Sequence, residues 1–151
     1  MTTDESTAVQ IAPATGEQLT IIQHFLRGSH LPLAGLERDL WRAWLAWKDG
    51  TPIACAGLER YGERALLRSV AVAPPWRRQG IGSLLVQAVV REAQSLAIRE
   101  IYLLTEGAES FFERLGFRPI ARDDVPEALH ASAEWRGACP QTATVMVLRG
   151  G

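Results

Sequence analysis

Leu66-Leu67-Arg68-Ser69-Val70-Ala71-Val72-Ala73-Pro74-Pro75-Trp76-Arg77-Arg78-Gln79-Gly80-Ile81-Gly82-Ser83-Leu84-Leu85 decides the fold of this 151-residue chain. Its first half is a Val- and Leu-rich run of the kind that suits a buried strand. Pro74-Pro75 ends the strand, because proline cannot donate to a ladder. Beyond the turn, Ile81, Leu84, Leu85, Ala88, Val89, Ala93 and Leu96 recur at helical spacing. The unit is therefore strand, basic glycine turn, helix. A helix N-terminus presents unpaired N–H groups and a partial positive charge. Gly80 and Gly82 let an anion approach the backbone, and Arg77 and Arg78 add full charges. Together these features predict a phosphate or pyrophosphate cradle over Gln79–Ser83. It is not a Walker loop, since neither glycine precedes a Lys, and Leu85 stands where a dinucleotide fingerprint needs a small residue.

Composition narrows the setting. With 47% hydrophobic and 22% charged residues, the chain reads as one globular domain over residues 1–151. A net charge of -1 gives no footprint for general nucleic-acid or membrane attraction. Cys55 and Cys139 are too few for a disulfide framework, and the polar segment Met1–Ser6 does not read as a signal peptide. A cytoplasmic protein is the expectation. The dispersed His24, His30 and His130 predict no metal centre.

Patterning along the chain predicts a first strand ending at Pro13, then a helix behind a Thr15–Gln18 capping box, with Leu19, Ile22, Phe25 and Leu26 on one face. A short helix is expected over Leu36–Leu40. Arg42–Trp47 and Pro52–Tyr61 form a hairpin through Asp49-Gly50. A turn at Gly62-Glu63 leads into Arg64–Val72. After the long helix, Glu100–Thr105 pairs parallel to the preceding strand. A short helix carries Ala108, Phe111, Phe112 and Leu115. An edge strand at Phe117–Ala121, a short helix opened by Asp124–Glu127 and a last strand over Thr142–Leu148 follow. The fold class is α/β, a mixed sheet flanked by helices.

Arg77-Arg78-Gln79-Gly80-Ile81-Gly82, behind Val70-Ala71-Val72 and before a long helix, resembles the coenzyme A signature of the GNAT N-acetyltransferases. The element order is similar to that family from end to end. The resemblance implies a splayed sheet with acetyl-CoA in the gap. Its pyrophosphate would lie on Arg77, Arg78, Gln79, Gly80, Gly82 and Ser83, and its pantetheine along the amides of Val70 and Val72. Gly57–Gly62, Leu66–Val72, Phe111–Phe117 and Cys139-Pro140 look like the small acetyltransferases of bacterial arsenic-resistance operons. More distantly the chain is similar to the catalytic domain of N-acetylglutamate synthase. These likenesses imply a primary amine of a small amino acid or amino-acid analogue as acceptor. A homodimer stays open.

Acetyl transfer needs a neutral amine and a proton for the leaving thiolate. Many relatives supply that proton from a Tyr at the position of Phe112, so the usual acid is missing here. Ser110 and Tyr102 are the nearest hydroxyls in sequence, and neither is assigned the role. The register through Gly62-Glu63 places Glu59 and Arg68 on one sheet face, diagonally opposed. Two readings stand for this pair. They form a cross-strand ion pair, or Arg68 binds an acceptor's carboxylate or phosphinate while Glu59 takes the ammonium proton. Arg68 also stands where many relatives carry an acid. Cys55 and Cys139 read as packing, and Trp41, Trp44 and Trp47 as core or interface. The expected activity is acetyl-CoA-dependent N-acetyl transfer. The alternatives are a coenzyme A-binding or sensing module without turnover, and a peptide N-terminal acetyltransferase.

Overall fold

The computed structural model describes residues 8–29, 31, 33, 36–138 and 142–150. Strand β1 (Gln10–Pro13) leads through a 3-10 turn at Gly16–Gln18 into helix α1 (Leu19–Gly28). The Thr15 N–H donates to Gln18 Oε1 at 3.0 Å, so the capping contact forms, though the first turn is 3-10. Helix α2 (Leu36–Asp39) precedes the meander β2 (Arg42–Lys48), β3 (Thr51–Tyr61) and β4 (Arg64–Val72). The β2–β3 turn has Asp49 at φ 51° and Gly50 at φ 79°, the left-handed pair that a two-residue hairpin requires. Helix α3 (Ile81–Ser95), strand β5 (Glu100–Thr105), helix α4 (Glu109–Arg114), strand β6 (Arg118–Ile120) and strand β7 (Thr144–Arg149) complete the order. The helix expected after Asp124 is instead two 3-10 turns, Arg122–Asp124 and Glu127–Ala131. Pro126 lies between them and has no N–H to carry a helix across. A π-helical turn over Glu134–Ala138 comes next.

The seven strands run β1-β2-β3-β4-β5-β7-β6, with β6 at the edge as Pro119 demands. Helix α3 lays Leu85, Val86, Val89 and Ala93 on one sheet face, against Ala54, Ala56, Leu58 and Leu67. Ile22 and Leu26 of α1 cover the opposite face over Leu45 and Cys55, while Val125 and Leu129 cover Leu66 and Tyr102. Between these two clusters, on one face, lie Glu59 and Arg68.

Two irregularities open the sheet on one side. The β3–β4 ladder pairs Tyr61 with Arg64, Glu59 with Leu66 and Gly57 with Arg68, the register expected from sequence. Next it slips, so that Cys55 pairs with Ala71, and Ser69 and Val70 together oppose Ala56. Ser69 sits at φ 63°, marking a bulge that bends β4. In addition, β4 and β5 pair in parallel only over Arg64–Leu66 with Glu100–Tyr102. Past those residues the two strands share no ladder, and the sheet opens into a cleft.

Candidate active site

The cleft has a volume of about 1220 Å³ and runs between Leu67–Val72 of β4 and Leu103–Glu106 at the end of β5. At its mouth is the glycine turn. Arg78 (φ 65°) and Gly80 (φ 79°) both take left-handed backbone there. The Leu84 N–H donates to Gly80 O at 3.1 Å, the first bond of α3, and no side chain caps that helix. The N–H groups of Ile81, Gly82 and Ser83 are thereby left without intrahelical acceptors. A Cβ on Gly82 would lie 3.4 Å from the Phe111 ring and 3.5 Å from Val72, filling the gap between them.

The expected cradle residues divide into two groups. Val70, Val72, Arg78, Gly80, Gly82 and Ser83 line the cleft. Arg77 and Gln79 brace the turn instead. Arg77 Nε donates to Val72 O at 2.9 Å and its Nη2 to Ser29 Oγ at 3.5 Å, tying the turn to β4 and to the end of α1. Gln79 Nε2 donates to Pro75 O at 3.0 Å.

Along the cleft, Phe111, Phe112 and Leu115 form an apolar wall. Phe112 stands edge-on to Phe111 (4.9 Å between centroids) and to Phe117 (5.7 Å), so the side chain is fixed and carries no proton to give. Tyr102 does not replace it: its hydroxyl donates to Glu100 Oε1 at 2.9 Å and its ring packs on the α1 face with Leu66. Ser110 is exposed and lies outside the cleft lining.

At the inner end is a buried ionic cluster. Arg68 Nη1 meets Glu59 Oε2 at 2.9 Å, and Arg68 Nε meets Glu134 Oε2 at 3.3 Å. The same Nε donates to Ser69 Oγ at 3.2 Å, so the bulge holds the guanidinium as well. Glu59 Oε1 accepts from the Tyr61 hydroxyl at 2.6 Å. Glu59 is 0% exposed and is not a lining residue, whereas Arg68 and Glu134 both line the cleft. The Glu59–Arg68 ion pair therefore exists as such, and of the two carboxylates it is Glu134 that lines the cleft. Glu134 is held by its backbone: its N–H donates to Ser132 Oγ at 3.1 Å, and the neighbouring Ala133 N–H to Asp39 Oδ2 at 2.9 Å. Burial pushes the Glu134 carboxyl up to about 7; Arg68 pulls the other way and the charge of Glu59 adds to the rise. Burial and the bond to Glu59 likewise raise the Tyr61 hydroxyl.

Glu134 escaped the sequence reading because its segment is a 3-10 turn followed by a π turn, and neither gives a repeating pattern. Cys55 is excluded as a nucleophile. Burial pushes its thiol to about 12, and its Sγ donates to Ser69 O at 3.1 Å. Cys139, His30 and most of the flanking loops lie outside the described residues. Among the described residues, no helix is long and apolar enough to cross a membrane.

Known proteins resemble this arrangement at several levels. Residues 17–117 match the acetyltransferase (GNAT) family. The amino-acid acetyltransferase of Mannheimia succiniciproducens is 34% identical over 94 residues, covering 61% of this chain and 21% of that protein. The amino-acid acetyltransferase of Edwardsiella ictaluri is 34% identical over 101 residues, 64% of this chain and 22% of that protein. The chain thus spans about a fifth of the length of the curated relatives it matches. In fold, N-acetylglutamate synthase from Neisseria gonorrhoeae, solved with coenzyme A and N-acetyl-glutamate, superposes with a TM-score of 0.79 at 20% identity. That superposition covers 95% of this chain and 35% of that one. Rv2747 from Mycobacterium tuberculosis, solved with CoA and NLQ, gives 0.77 at 20% identity, covering 94% and 99%.

Proposed function

Because the chain belongs to the acetyltransferase (GNAT) family, we propose that it transfers the acetyl group of acetyl-CoA to the primary amine of a small amino acid or amino-acid analogue. The observation that carries this reading is one continuous cleft, with an amide- and arginine-rich mouth and a carboxylate of raised proton affinity at its inner end. The mouth fits a pyrophosphate: three helix N–H groups lack intrahelical partners, and Arg78, Gly80, Gly82 and Ser83 line it. The stretch of β4 at Val70–Val72, laddered to β3 on one side and to no strand on the β5 side, fits an extended amide-bearing arm. When bound, acetyl-CoA supplies an activated thioester.

This chain's own residues then do three things. The Gly80–Ser83 amides and Arg78 hold the anionic end. The Phe111–Phe112 wall keeps water from one side of the arm. Glu134 accepts a proton from the acceptor's ammonium, directly or through one water, which frees the amine's lone pair. A carboxyl titrating near 7 is matched to that task at neutral pH. Likeness to curated amino-acid acetyltransferases supports an amino-acid acceptor. The arsenic-resistance setting rests on the likeness of Gly57–Gly62, Leu66–Val72, Phe111–Phe117 and Cys139-Pro140 alone; greater arsenic tolerance in a sensitive bacterium expressing the chain is its test.

Thiol release from acetyl-CoA, measured across a panel of amino acids and carboxylate- or phosphinate-bearing analogues, tests the main reading. Release that depends on an amine acceptor is expected. Phe112 favours a second reading, a coenzyme A-binding module without turnover, because it leaves α4 with no acid at the cleft. Binding of coenzyme A without thiol release on any acceptor would replace the first reading with that one.

A further inference from the structure

We propose that Glu59 is a positioning residue for Glu134 that acts through Arg68: it engages the guanidinium from the buried side and so sets how much of that positive charge reaches Glu134 at the cleft. The inference deepens the acetyl-transfer reading and takes its catalytic meaning from it.

The geometry is one cation between two carboxylates. The shorter contact, 2.9 Å from Nη1, goes to Glu59, which is wholly buried. The longer one, 3.3 Å from Nε, goes to Glu134, and that nitrogen is shared with Ser69 Oγ. Tyr61 anchors the other oxygen of Glu59 at 2.6 Å, so Glu59 is held by donors on both sides. One positive charge thus faces two negative ones, and the carboxylate nearer the cleft is the less compensated. Among the described residues, further charged and titratable groups near Glu134 come from its own segment, from α2 and from the turns Arg122–Asp124 and Glu127–Ala131. Asp39 Oδ2 accepts from the neighbouring Ala133 N–H at 2.9 Å. His130 stacks on Trp135 at 5.2 Å, Arg122 lies 5.3 Å over the same ring, and Arg136 is exposed. The balance of forces agrees: burial and Glu59 raise the Glu134 carboxyl, against Arg68.

The test is a titration of the free protein, so it does not depend on turnover. Glutamate side-chain carboxyls labelled with ¹³C are followed by NMR from acid to alkaline pH, and the Glu134 signal is identified by its loss in Glu134→Gln. In the wild type that signal should titrate near 7. In Glu59→Gln, which removes a negative charge and keeps the shape, the midpoint should fall by about one pH unit. Tyr61→Phe keeps both charges but leaves Glu59 leaning on Arg68 alone, so the Glu134 midpoint should rise by a smaller amount. The acid limb of the kcat profile should move with the NMR midpoint in each variant. A near-neutral glutamate signal that persists in Glu134→Gln overturns the proposal. So does a midpoint unmoved in Glu59→Gln, or in Tyr61→Phe should Glu59→Gln not fold. Absent thiol release with these midpoint shifts intact would count against the acetyl-transfer reading alone.

Discussion

The two ends of the cleft are built by opposite means. The mouth is one contiguous stretch, Arg77 to Ser83, and its binding groups are mostly backbone N–H. The inner end gathers Glu59 from β3, Arg68 from β4 and Glu134 from a π turn far along the chain, and its groups are all side chains. The mouth is exposed, so its charges act in high dielectric and are screened. The inner end is buried, so each charge there is consequential to stability and to its neighbours. A site of the first kind binds an invariant group cheaply. A site of the second kind can be tuned by one residue, and it fails when one residue is lost.

The contrast is broken or sharpened most directly at Arg68. Its side chain is 0% exposed and neutralises Glu59, which is equally buried. Arg68→Met keeps much of the volume and removes the cation, leaving two carboxylates without their partner. We expect a loss of about 3–5 kcal/mol of unfolding free energy at neutral pH, read by denaturant titration. A change within experimental error would mean that the cluster is solvated after all and that the two ends do not differ in kind.

A second effect, of about 3 kcal/mol, belongs to Glu134. In the unfolded chain its carboxyl titrates near 4.5, and in the fold near 7. Between those values the native state holds a proton that the unfolded state has released. Stability from this group is therefore fully present below pH 4.5 and is lost as pH rises through 7. Glu134→Gln should remove that decline, so the variant gains on the wild type between about pH 5 and pH 8 by roughly the amount stated. Superimposable pH–stability curves would show that Glu134 is not the acid held protonated by the fold.

The same difference explains what the sequence disclosed. The mouth was legible because glycine, arginine and helical spacing act locally, and a local backbone turn leaves its signature in adjacent residues. The opposition of Glu59 with Leu66 followed from the Gly62-Glu63 turn, since register propagates from a tight turn. The bulge at Ser69 was not legible: a left-handed serine inside a Val-rich run breaks no pattern in the residues themselves. Glu134 was hidden for a further reason. Its partner lies on another element, and only the closed fold brings the two within 3.3 Å. Arg77 and Arg78 form an intermediate case. Their presence was informative, but only the fold shows that Arg78 lines the cleft while Arg77 bonds to Val72 O and Ser29 Oγ.

That last distinction gives the smallest expected effect. Arg78 lines the cleft, and Arg77 is committed to Val72 O and Ser29 Oγ. Arg78→Ala should weaken coenzyme A binding about tenfold at low salt, the scale of one charge-assisted hydrogen bond to phosphate. Arg77→Ala should change that affinity by less than about threefold, because the Arg77 charge lies near the turn without being aimed at the anion. It should instead lower the melting temperature by a few degrees, since it unties the turn from β4 and α1. Calorimetry at low and high salt separates the two, and the Arg78 deficit should shrink as salt rises while the Arg77 melting shift persists. Equal affinity losses in the two variants would restore the reading from sequence, in which both arginines serve the anion. The bracing bonds of Arg77 would then be an arrangement that ligand binding exchanges for a phosphate contact.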